Sequence, residues 1–576
     1  MRTVYWSACL VVPLLGFAAL YSAGGITASP GPAAWPQWAQ NSQHTGNLQV
    51  AGQPIDQQFA DLVFDPFVAQ ETAEMAGALT VHYQAPLVNG RQIFMEVKTG
   101  WYNSCNPPGS GKPFPCGPND WNTEIWNERA FLLMNGQLVQ SWNFQSDWVP
   151  VPNDYKLGGW EPVFQPALSS SFIYVPGAGG TVYKLNQSDG SLVAQINPFS
   201  SFDTSKFVWG PLTADNAGNL YYNAVQVNVT TPWSSDVLGS WLVKIAPDNS
   251  TSTVSYSSLI PNAPTVCLRT FSPSQLPFPP SPNAKPGNMT CGSQRAALNV
   301  APVISKDGTT IYTVSRGHFA ARAGYLVAVN SNLNVKWFRS LQKLLKDGCN
   351  VLLPPNGTPG GCRTGATTGV DPTQNTPGSA IISDQASASP VLAPDGSILL
   401  GVNTAYNYGR GHLLKFNSAG IFKASYDFGW DTTPAVYSHN GTYSIVMKDN
   451  HYDMGSYCSN RTWCPPAPPG PYYITQLNSD LTIAWQFADP TTDSRHPNGY
   501  EWCVNAMAVD KNGVAFGNSE DGNLYAIQQG GTSYQSLFLK KVLDAGYTPL
   551  SLGGDGTIYT LNDGNIIAAG QTPPAK

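Results

Sequence analysis

The sequence predicts an all-β fold from a repeated unit, from the spacing of its copies and from an incomplete last copy. The unit is a short extended segment, usually with proline at its second position, followed by a glycine turn and a strand rich in aromatic or β-branched residues. The second residues of its eight copies are Pro86, Pro166, Pro211, Pro302, Pro390, Pro434, Ala506 and Pro549. Self-similarity at one period is typical of a solenoid or of a ring of small β units.

The spacing of the copies favours a ring. Three of the seven spacings are 45, 44 and 43 residues, counted from Pro166, Pro390 and Ala506 to the next copy. A unit of about 40–45 residues with several short strands is typical of a four-stranded propeller blade. The other spacings are 80, 91, 88 and 72 residues, which indicates segments inserted into the basic unit. We therefore predict an eight-bladed β-propeller of four-stranded blades.

The last copy, from Pro549 to Gly570, holds three strands, and an open sheet edge would expose unpaired backbone groups. We predict that residues 59–67 pair with the strand at 565–569 and close the ring. The predicted organisation is a signal peptide (1–28), a lead-in segment (29–58), one propeller domain (59–570) with insertions, and a tail (571–576). Long helical patterns are nearly absent, although residues 69–75 and 340–346 would each allow about two helical turns.

Composition indicates an extracytoplasmic protein. Charged residues make up 11% of the chain, and the net charge of −6 comes with no basic run, which argues against nucleic acid as a partner. The apolar run from Ala8 to Leu20 is too short for a stable membrane span and fits a signal peptide, with cleavage after Ala23 or Ala28. An uncleaved anchor is the alternative interpretation. We expect the protein to be secreted or periplasmic.

Eight cysteines form local pairs by proximity, one pair in each of the four long gaps between copies. The predicted disulfides are Cys105–Cys116, Cys267–Cys291, Cys349–Cys362 and Cys458–Cys464. Disulfides persist in exported proteins and limit the freedom of the unfolded chain. Metal binding is the alternative for Cys458 and Cys464, but no second Cys or His pair has zinc-ligand spacing, so we predict no metal site. Cys503 is left over, either as a buried thiol or as a sign of a wrong pairing.

Two segments resemble a known family. The run from Trp35-Pro36-Gln37-Trp38 to Gly46 resembles the lead-in of secreted proteins with quinoprotein-type (PQQ-like) repeats, and Gly180 to Leu192 resembles the repeat itself. Trp337 and Trp485 stand where that repeat often carries tryptophan on its outer strand. The resemblance implies an eight-bladed propeller similar to quinoprotein alcohol dehydrogenases, over roughly residues 35–570. Members that resemble methanol oxidisers have two adjacent cysteines beside the quinone, and this chain has no Cys-Cys pair.

All four insertions are predicted to lie on one face of the ring. Those at 101–128 and 450–470 follow second strands, and those at 250–297 and 340–387 follow fourth strands. In an up-and-down blade both connections emerge on the same face, and loops on a rigid scaffold build binding surfaces. The candidate ligand-binding residues around this mouth are Arg316, His318, Arg322, His412, Asp431, His451, Glu501 and Trp502. Capping of the channel is the structural alternative for the insertions.

Two functions remain open at this stage. The first is an exported, non-catalytic propeller that binds a small molecule, a glycan or a protein on the decorated face. The second is a quinone-dependent alcohol or sugar dehydrogenase with a divergent site, which would bring pyrroloquinoline quinone and Ca²⁺ as cofactors. Asp431 and Glu501 would be a carboxylate pair for acid–base catalysis. The missing adjacent cysteines favour the first function.

Overall fold

Eight antiparallel four-stranded sheets form a closed ring in the computed structural model, so the predicted eight-bladed propeller is confirmed. The structure describes residues 34–75, 77–103, 121, 123–152, 160–353, 358–359, 362–404, 411–428, 431–450, 470–540 and 548–572. The predicted signal peptide, His451 and the cysteine pairs 105–116 and 458–464 lie outside these residues. Within the described chain, no helix has the length and apolar character that crossing a membrane requires.

Blades are numbered along the chain, and each strand pairs with the next from the central channel outward. The strands of blade 1 are Leu87–Asn89, Gln92–Gly100, Glu124–Met134 and Gln137–Gln145, and those of blade 2 are Ala167–Ser169, Phe172–Pro176, Val182–Asn186 and Leu192–Ile196. In blades 3 and 4 the innermost strand is split into two short strands. Blade 3 consists of Lys206–Val208 and Thr213–Ala214 as the innermost pair, followed by Leu220–Gln226, Gly239–Ile245 and Thr251–Ser255. Blade 4 consists of Gln294–Ala296 and Val303–Ile304 as the innermost pair, followed by Thr310–Gly317, Tyr325–Asn330 and Val335–Ser340.

The second half of the ring repeats the same order. The strands of blade 5 are Val391–Leu392, Ile398–Asn403, Gly411–Phe416 and Phe422–Asp427; of blade 6, Ala435–His439, Thr442–Asp449, Tyr473–Asn478 and Ile483–Ala488; and of blade 7, Ala508–Val509, Ala515–Asn518, Asn523–Ile527 and Tyr534–Phe538. Blade 8 consists of Ser551–Leu552, Ile558–Asn562 and Asn565–Gly570, with Gln57–Val63 as its outer strand. The pairing runs from Gln57 opposite Gly570 to Val63 opposite Asn565, which confirms the predicted closure.

One of the two predicted helical segments is present. A helix spans Val68–Glu74, but residues 340–346 are not helical. There Leu341 donates its N–H to the Gly324 carbonyl and Leu345 pairs with Gly378, so tertiary backbone pairing replaces the helical bonds, and Lys343 has a φ of 56°. The remaining short elements are Ala178–Gly180, Tyr256–Leu259 and Pro273–Gln275, and the hairpins Val266–Leu268 with Asn288–Thr290, Leu352–Leu353 with Thr358–Pro359, and Val370–Asp371 with Thr376–Pro377.

Tryptophans on outer strands join neighbouring blades. The indole of Trp142 in blade 1 covers Gly190 and donates to the Gln187 carbonyl at 2.8 Å, both in blade 2. Trp337 in blade 4 covers Gly420 in blade 5 in the same way. Gly420 has a φ of 73°, and a β-carbon there would lie 2.6 Å from the Trp337 ring. The glycine is therefore required both by the turn and by the packing of the tryptophan on it.

The lead-in segment lies inside the channel and bonds to the innermost strand of each blade in turn. One backbone N–H in the innermost strand of each of the first seven blades donates to this segment. Val88 and Leu168 donate to the carbonyls of Trp35 and Pro36, and Ala214 donates to the Gln37 side chain. The remaining donors are Ile304, Leu392, Val436 and Val509, whose acceptors are the carbonyls of Ser42, Gln43, Thr45 and Gly46 in that order. Gln53 then donates to the Gly556 carbonyl of blade 8. These bonds satisfy inner strand edges that would otherwise stay unpaired in the channel.

Two side chains of the lead-in segment fill the channel. Trp38 is fully buried, packs against alanines and a valine that lead into blades 1, 2, 4 and 7, and donates to the Thr433 hydroxyl at 3.2 Å. His44 joins two blades, with Nδ1 2.8 Å from the Pro390 carbonyl and Nε2 3.4 Å from the Thr213 hydroxyl. Burial lowers the pKa of His44 to about 4, so its neutral ring donates to the carbonyl and accepts from the hydroxyl.

Two of the four predicted disulfides lie within the described residues, and both are confirmed. Cys267 is bonded to Cys291 and Cys349 to Cys362, with Cα–Cα distances of 5.1 and 5.5 Å. Cys503 is a buried free thiol, as expected for the unpaired cysteine. Each bridge lies in an insertion that follows a fourth strand. Each disulfide therefore constrains a segment that does not belong to any blade.

Replacing Trp38 by alanine is expected to lower the free energy of unfolding by about 3–5 kcal/mol, because it leaves a void where several blades meet. Chemical denaturation followed by circular dichroism measures the change. Trp101→Ala is the control, since Trp101 is 64% exposed and its loss should change stability by less than about 0.5 kcal/mol. Equal effects of the two substitutions would show that Trp38 does not hold the ring together.

Candidate functional site

A cavity of about 520 Å³ opens beside the channel, between the insertion after blade 3, the loop after the second strand of blade 4 and the segment that leads into blade 5. Its volume is in the range of small-molecule sites. The lining residues are Trp233, Ser234, Arg269, Met289, Thr290, Arg295, Arg316, His318, Phe319, Ala321, Ile381, Ser383, Asp384 and Gln385. We call this space the arginine cavity.

Asp384 organises the arginine cavity by accepting hydrogen bonds on both carboxylate oxygens. Oδ1 accepts from Arg295 Nη1 at 3.0 Å and from the Leu298 backbone N–H at 3.1 Å, and Oδ2 accepts from Arg295 Nη2 at 2.5 Å and Arg316 Nη1 at 2.7 Å. Burial raises the pKa of Asp384, but Arg295 and Arg316 outweigh it and hold the pKa well below its usual range. The carboxylate is therefore ionised and fully engaged by the protein.

His318 has a defined tautomer. Arg295 Nε donates to His318 Nδ1 at 3.0 Å, so the lone pair is on Nδ1 and the proton is on Nε2. Burial and the charge of Arg295 lower the pKa of His318 to about 3, which keeps the ring neutral. Nε2 is buried and makes no hydrogen bond to any described residue. His318 is therefore a lining residue whose buried Nε2–H has no hydrogen-bond partner among the described residues.

The cavity is electropositive and has aromatic walls. The Arg295 guanidinium lies 5.6 Å from the Trp209 ring centroid and 5.8 Å from that of Trp233, and His318 is nearly parallel to Trp233. The lining residues include three arginines, Arg269, Arg295 and Arg316, and one carboxylate, Asp384. Since His318 is neutral, the lining carries excess positive charge and attracts an anion.

Two of the eight predicted ligand-binding residues, Arg316 and His318, line this cavity. Arg322 does not reach it, because its guanidinium contacts Asp371 at 3.4 Å and Thr373 at 3.0 Å in the insertion after blade 4. The structure therefore brings Arg316 and His318 together at the cavity and places Arg322 away from it.

Four of the other predicted residues are engaged elsewhere, and His451 lies outside the described residues. His412 lies between Asp347 and Asp427 on blade 5, and Asp431 pairs with Lys448 at 2.9 Å. Trp502 is buried, packs against the rings of Phe487 and Tyr525 between blades 6 and 7, and donates to the Tyr472 carbonyl at 3.2 Å. The backbone carbonyl of Glu501 accepts from the Glu520 N–H at 2.9 Å. None of these residues lines the arginine cavity.

Four lining residues were not predicted from the sequence: Arg295, Asp384, Trp233 and Arg269. Arg295 and Asp384 are 89 residues apart, so no local pattern links them. A weaker signal was present, because each charge adjoins apolar residues, Ala296-Ala297-Leu298 in one case and Ile381-Ile382 in the other. In a chain with 11% charged residues, a charge beside an apolar run is a candidate for a buried ion pair.

Pyrroloquinoline quinone with Ca²⁺ does not fit the arginine cavity. Calcium needs several oxygen ligands, and Asp384, the one carboxylate among the lining residues, has both oxygens bonded to the protein. Trp38 is buried where several blades meet, and His82 joins the segments that lead into blades 2 and 5, with Nδ1 2.9 Å from the Glu161 carbonyl and Nε2 3.2 Å from the Gln385 carbonyl. The donor set suits an anion without a resident metal.

Two groups of side chains with metal-ligand character lie outside the cavity. One is Asp347, His412 and Asp427, and the other is Glu71, Glu124 and Glu161. In the first, the imidazole lies between two carboxylates. In the second, burial raises the pKa of Glu124 and of Glu161 to about 8, although Lys98 opposes the shift.

Solved structures of other proteins have a fold similar to that of this chain. A structure described as a europium-containing methanol dehydrogenase aligns with a TM-score of 0.50 and 10% identity, over 91% of this chain and 89% of that chain. The chain shares its fold with that dehydrogenase. The predicted quinoprotein-type propeller is therefore confirmed as a fold, and at this identity the likeness does not extend to activity, which depends on site residues.

Other alignments score lower. The quinohemoprotein alcohol dehydrogenase from Comamonas testosteroni aligns with a TM-score of 0.48 and 11% identity, over 95% of this chain and 82% of that one. BamB from Moraxella catarrhalis aligns with a TM-score of 0.40 and 10% identity, over 89% of this chain and 99% of that one. No protein-family model and no curated protein matches the sequence.

The stability contributed by His412 is expected to depend on pH. Burial lowers its pKa, but Asp347 and Asp427 outweigh burial and raise the pKa to about 10. A histidine whose pKa is raised on folding stabilises the folded state fully below its unfolded pKa, near 6.5, and this contribution is lost as pH rises through the folded value. His412→Asn should therefore cost about 3 kcal/mol at pH 6 and progressively less towards pH 10.

Denaturation of wild type and His412→Asn at several pH values measures this difference. Asp347→Asn should reproduce the same pH trend, because it removes one of the two charges that hold the proton on His412. A difference between wild type and His412→Asn that stays constant from pH 6 to pH 10 would contradict a charged imidazole in the folded protein.

Proposed function

We propose that the protein is an exported, non-catalytic propeller that binds a small organic carboxylate in the arginine cavity. The observation that carries the proposal is the excess of positive groups around one fully engaged carboxylate, beside a buried N–H donor of His318 that has no partner among the described residues. A carboxylate ligand would supply both the missing negative charge and the missing acceptor.

Arg316 is the best-placed group to hold the ligand. Its Nη1 donates to Asp384 and to the Ile382 carbonyl, and its Nε approaches the Gly317 carbonyl at 3.4 Å. Its Nη2 makes no hydrogen bond within the described residues. Because Asp384 and Ile382 fix the plane of the guanidinium, Nη2 is presented in a defined direction. Guanidinium–carboxylate bonds are short, strong and directional, so this arrangement suits a carboxylate.

A neutral glycan fits the cavity less well than an anion. Sugar hydroxyls donate as well as accept, and glycan sites commonly use carboxylates as acceptors. The lining carboxylate is committed to two arginines, and the charged groups that remain are donors. A binding site built mostly from positive donors favours a ligand built mostly from acceptors.

The same bonds argue for binding rather than catalysis. A general base needs a lone pair directed at the substrate. Asp384 has both oxygens engaged, and the lone pair of His318 on Nδ1 is occupied by Arg295. The cavity therefore offers no free base among its ionisable residues. Export is supported by the two disulfides, which require an oxidising compartment, and by the predicted signal peptide.

Binding of benzoate and benzamide by isothermal titration calorimetry tests the proposal, with gluconate and citrate as further acids. We expect benzoate to bind more tightly than its uncharged isostere. Arg316→Ala should weaken binding of the carboxylates by about 1–3 kcal/mol, because it removes a charged donor. Arg322→Ala is the matched control: it removes an arginine on the same blade connection that contacts Asp371 instead, and binding should be unchanged.

Equal binding of benzoate and benzamide, or wild-type binding by Arg316→Ala, would contradict a carboxylate site in this cavity. The same proteins are then mixed with pyrroloquinoline quinone and Ca²⁺ and assayed for dye-linked alcohol oxidation. We expect no turnover. Calcium-dependent turnover that is lost in Arg316→Ala would instead establish the dehydrogenase alternative.

A further inference from the structure

Blade 1 contains a buried group of charges that is distinct from the arginine cavity. The Lys98 ammonium lies 2.8 Å from Glu161 Oε2, 3.0 Å from Glu71 Oε1, 3.1 Å from Asp65 Oδ2 and 3.6 Å from Glu124 Oε2. All five side chains are buried. We call this group the Lys98 cage. None of its members lines the arginine cavity.

The ammonium cannot serve all four carboxylates. Lysine has three N–H donors, and Glu161, Glu71 and Asp65 lie within hydrogen-bonding distance of it. Glu124 is left at 3.6 Å, beyond a good hydrogen bond. Both oxygens of Glu124 and the second oxygen of Glu71 are buried without any hydrogen-bond partner. Lys98 is also the one basic side chain that ion-pairs with these carboxylates in the described chain.

From these unused oxygens we infer that Glu71, Glu124 and Glu161 bind a hard cation of the calcium type beside Lys98. One oxygen from each of the three carboxylates lies within 4.8 Å of the others, a spacing that a cation with metal–oxygen distances of about 2.3–2.6 Å can bridge. At Glu71 and Glu124 the cation would take oxygens that make no hydrogen bond to Lys98, whereas at Glu161 it would share the carboxylate with Lys98.

Ligand chemistry selects the class of metal. The three groups offer carboxylate oxygen only, with neither imidazole nor thiolate, which favours Ca²⁺ and other hard ions over zinc or copper. Neither oxygen of Glu124 accepts a hydrogen bond, although Oε2 lies 3.6 Å from Lys98, so this side chain can bind in the bidentate manner that calcium accepts and that the smaller, strictly octahedral Mg²⁺ disfavours.

The three ligands come from parts of the chain that meet only when the ring is closed. Glu71 is in the helix that follows the outer strand of blade 8, Glu124 begins the third strand of blade 1, and Glu161 precedes blade 2. A cation bound here would therefore join the closing segment to two blades. We expect it to stabilise the closed ring, because a ligand that binds the folded state alone shifts unfolding.

Terbium luminescence on the full-length protein, first dialysed against a chelator, tests this inference. Tb³⁺ substitutes for Ca²⁺, and the buried Trp126 ring, whose centroid is 5.9 Å from Lys98 Nζ, should sensitise it. We expect saturable emission that Ca²⁺ displaces and Mg²⁺ displaces poorly, and a Ca²⁺-dependent rise in melting temperature.

Glu124→Gln should weaken Tb³⁺ and Ca²⁺ binding at least about tenfold, because it removes the ligand whose oxygens are both free. Glu128→Gln is the matched control: Glu128 is a buried carboxyl in the same strand that accepts from Gln84, outside the three ligands, and its replacement should leave binding unchanged. Circular dichroism confirms that both variants fold. Wild-type Tb³⁺ affinity in Glu124→Gln, or a melting temperature that does not respond to Ca²⁺, would overturn the inference.

Discussion

The lead-in segment holds the ring from the inside. The innermost strands of the first seven blades each donate one backbone N–H to residues 35–46, so the register of those strands is tied to one continuous stretch of chain. The stretch is short, and it bonds to the blades in their order around the ring, so one segment fixes both the spacing and the order of the blades. Trp38 and His44 fill the space that remains. The arginine cavity lies apart from these two side chains, neither of which lines it.

The insertions build that site. The hairpin formed by Val266–Leu268 and Asn288–Thr290 brings Met289 and Thr290 to the arginine cavity, and the Cys267–Cys291 bridge fastens its two strands. The same insertion ends in the extra strand Gln294–Ala296, which places Arg295 at the inner edge of blade 4. From the next insertion comes Asp384. The propeller thus supplies rigid edges, and the segments between its blades supply the charges.

The spacing of the sequence repeat and the proximity of cysteines along the chain were enough to predict the ring, its closure and two disulfides. Each of these features depends on neighbouring residues or on a regular repeat. The site could not be predicted to the same degree. Strand order predicted Arg316 and His318 as site residues, and both line the cavity, but it could not show that Arg322 turns towards Asp371, or that Trp502 packs between blades. Residues 340–346 illustrate the same limit, since a helical pattern there gave way to pairing with Gly324 and Gly378, which are distant in sequence. The path of the lead-in segment was also missed, because its partners are spread over the whole chain.

The arginine cavity has more positive than negative side chains, and the Lys98 cage has more negative than positive ones. This contrast in charge indicates what kind of ligand each would bind. Replacing a buried ion pair by apolar residues is often neutral or stabilising, so stability alone does not explain why charges are retained in a core. An unbalanced group is costlier still, because the excess charge has neither water nor a partner. Arg295 and Arg316 share one carboxylate, whereas four carboxylates surround Lys98. Each imbalance would be relieved by an ion of the opposite sign, an anion for the arginine cavity and a cation for the Lys98 cage. In the cage that cation would displace protons, since burial raises the pKa of Glu124 and of Glu161 to about 8. The sign of the excess therefore indicates the class of ligand before any ligand is known, and the unbonded atoms, His318 Nε2 in one group and the Glu124 carboxylate in the other, indicate where it would bind.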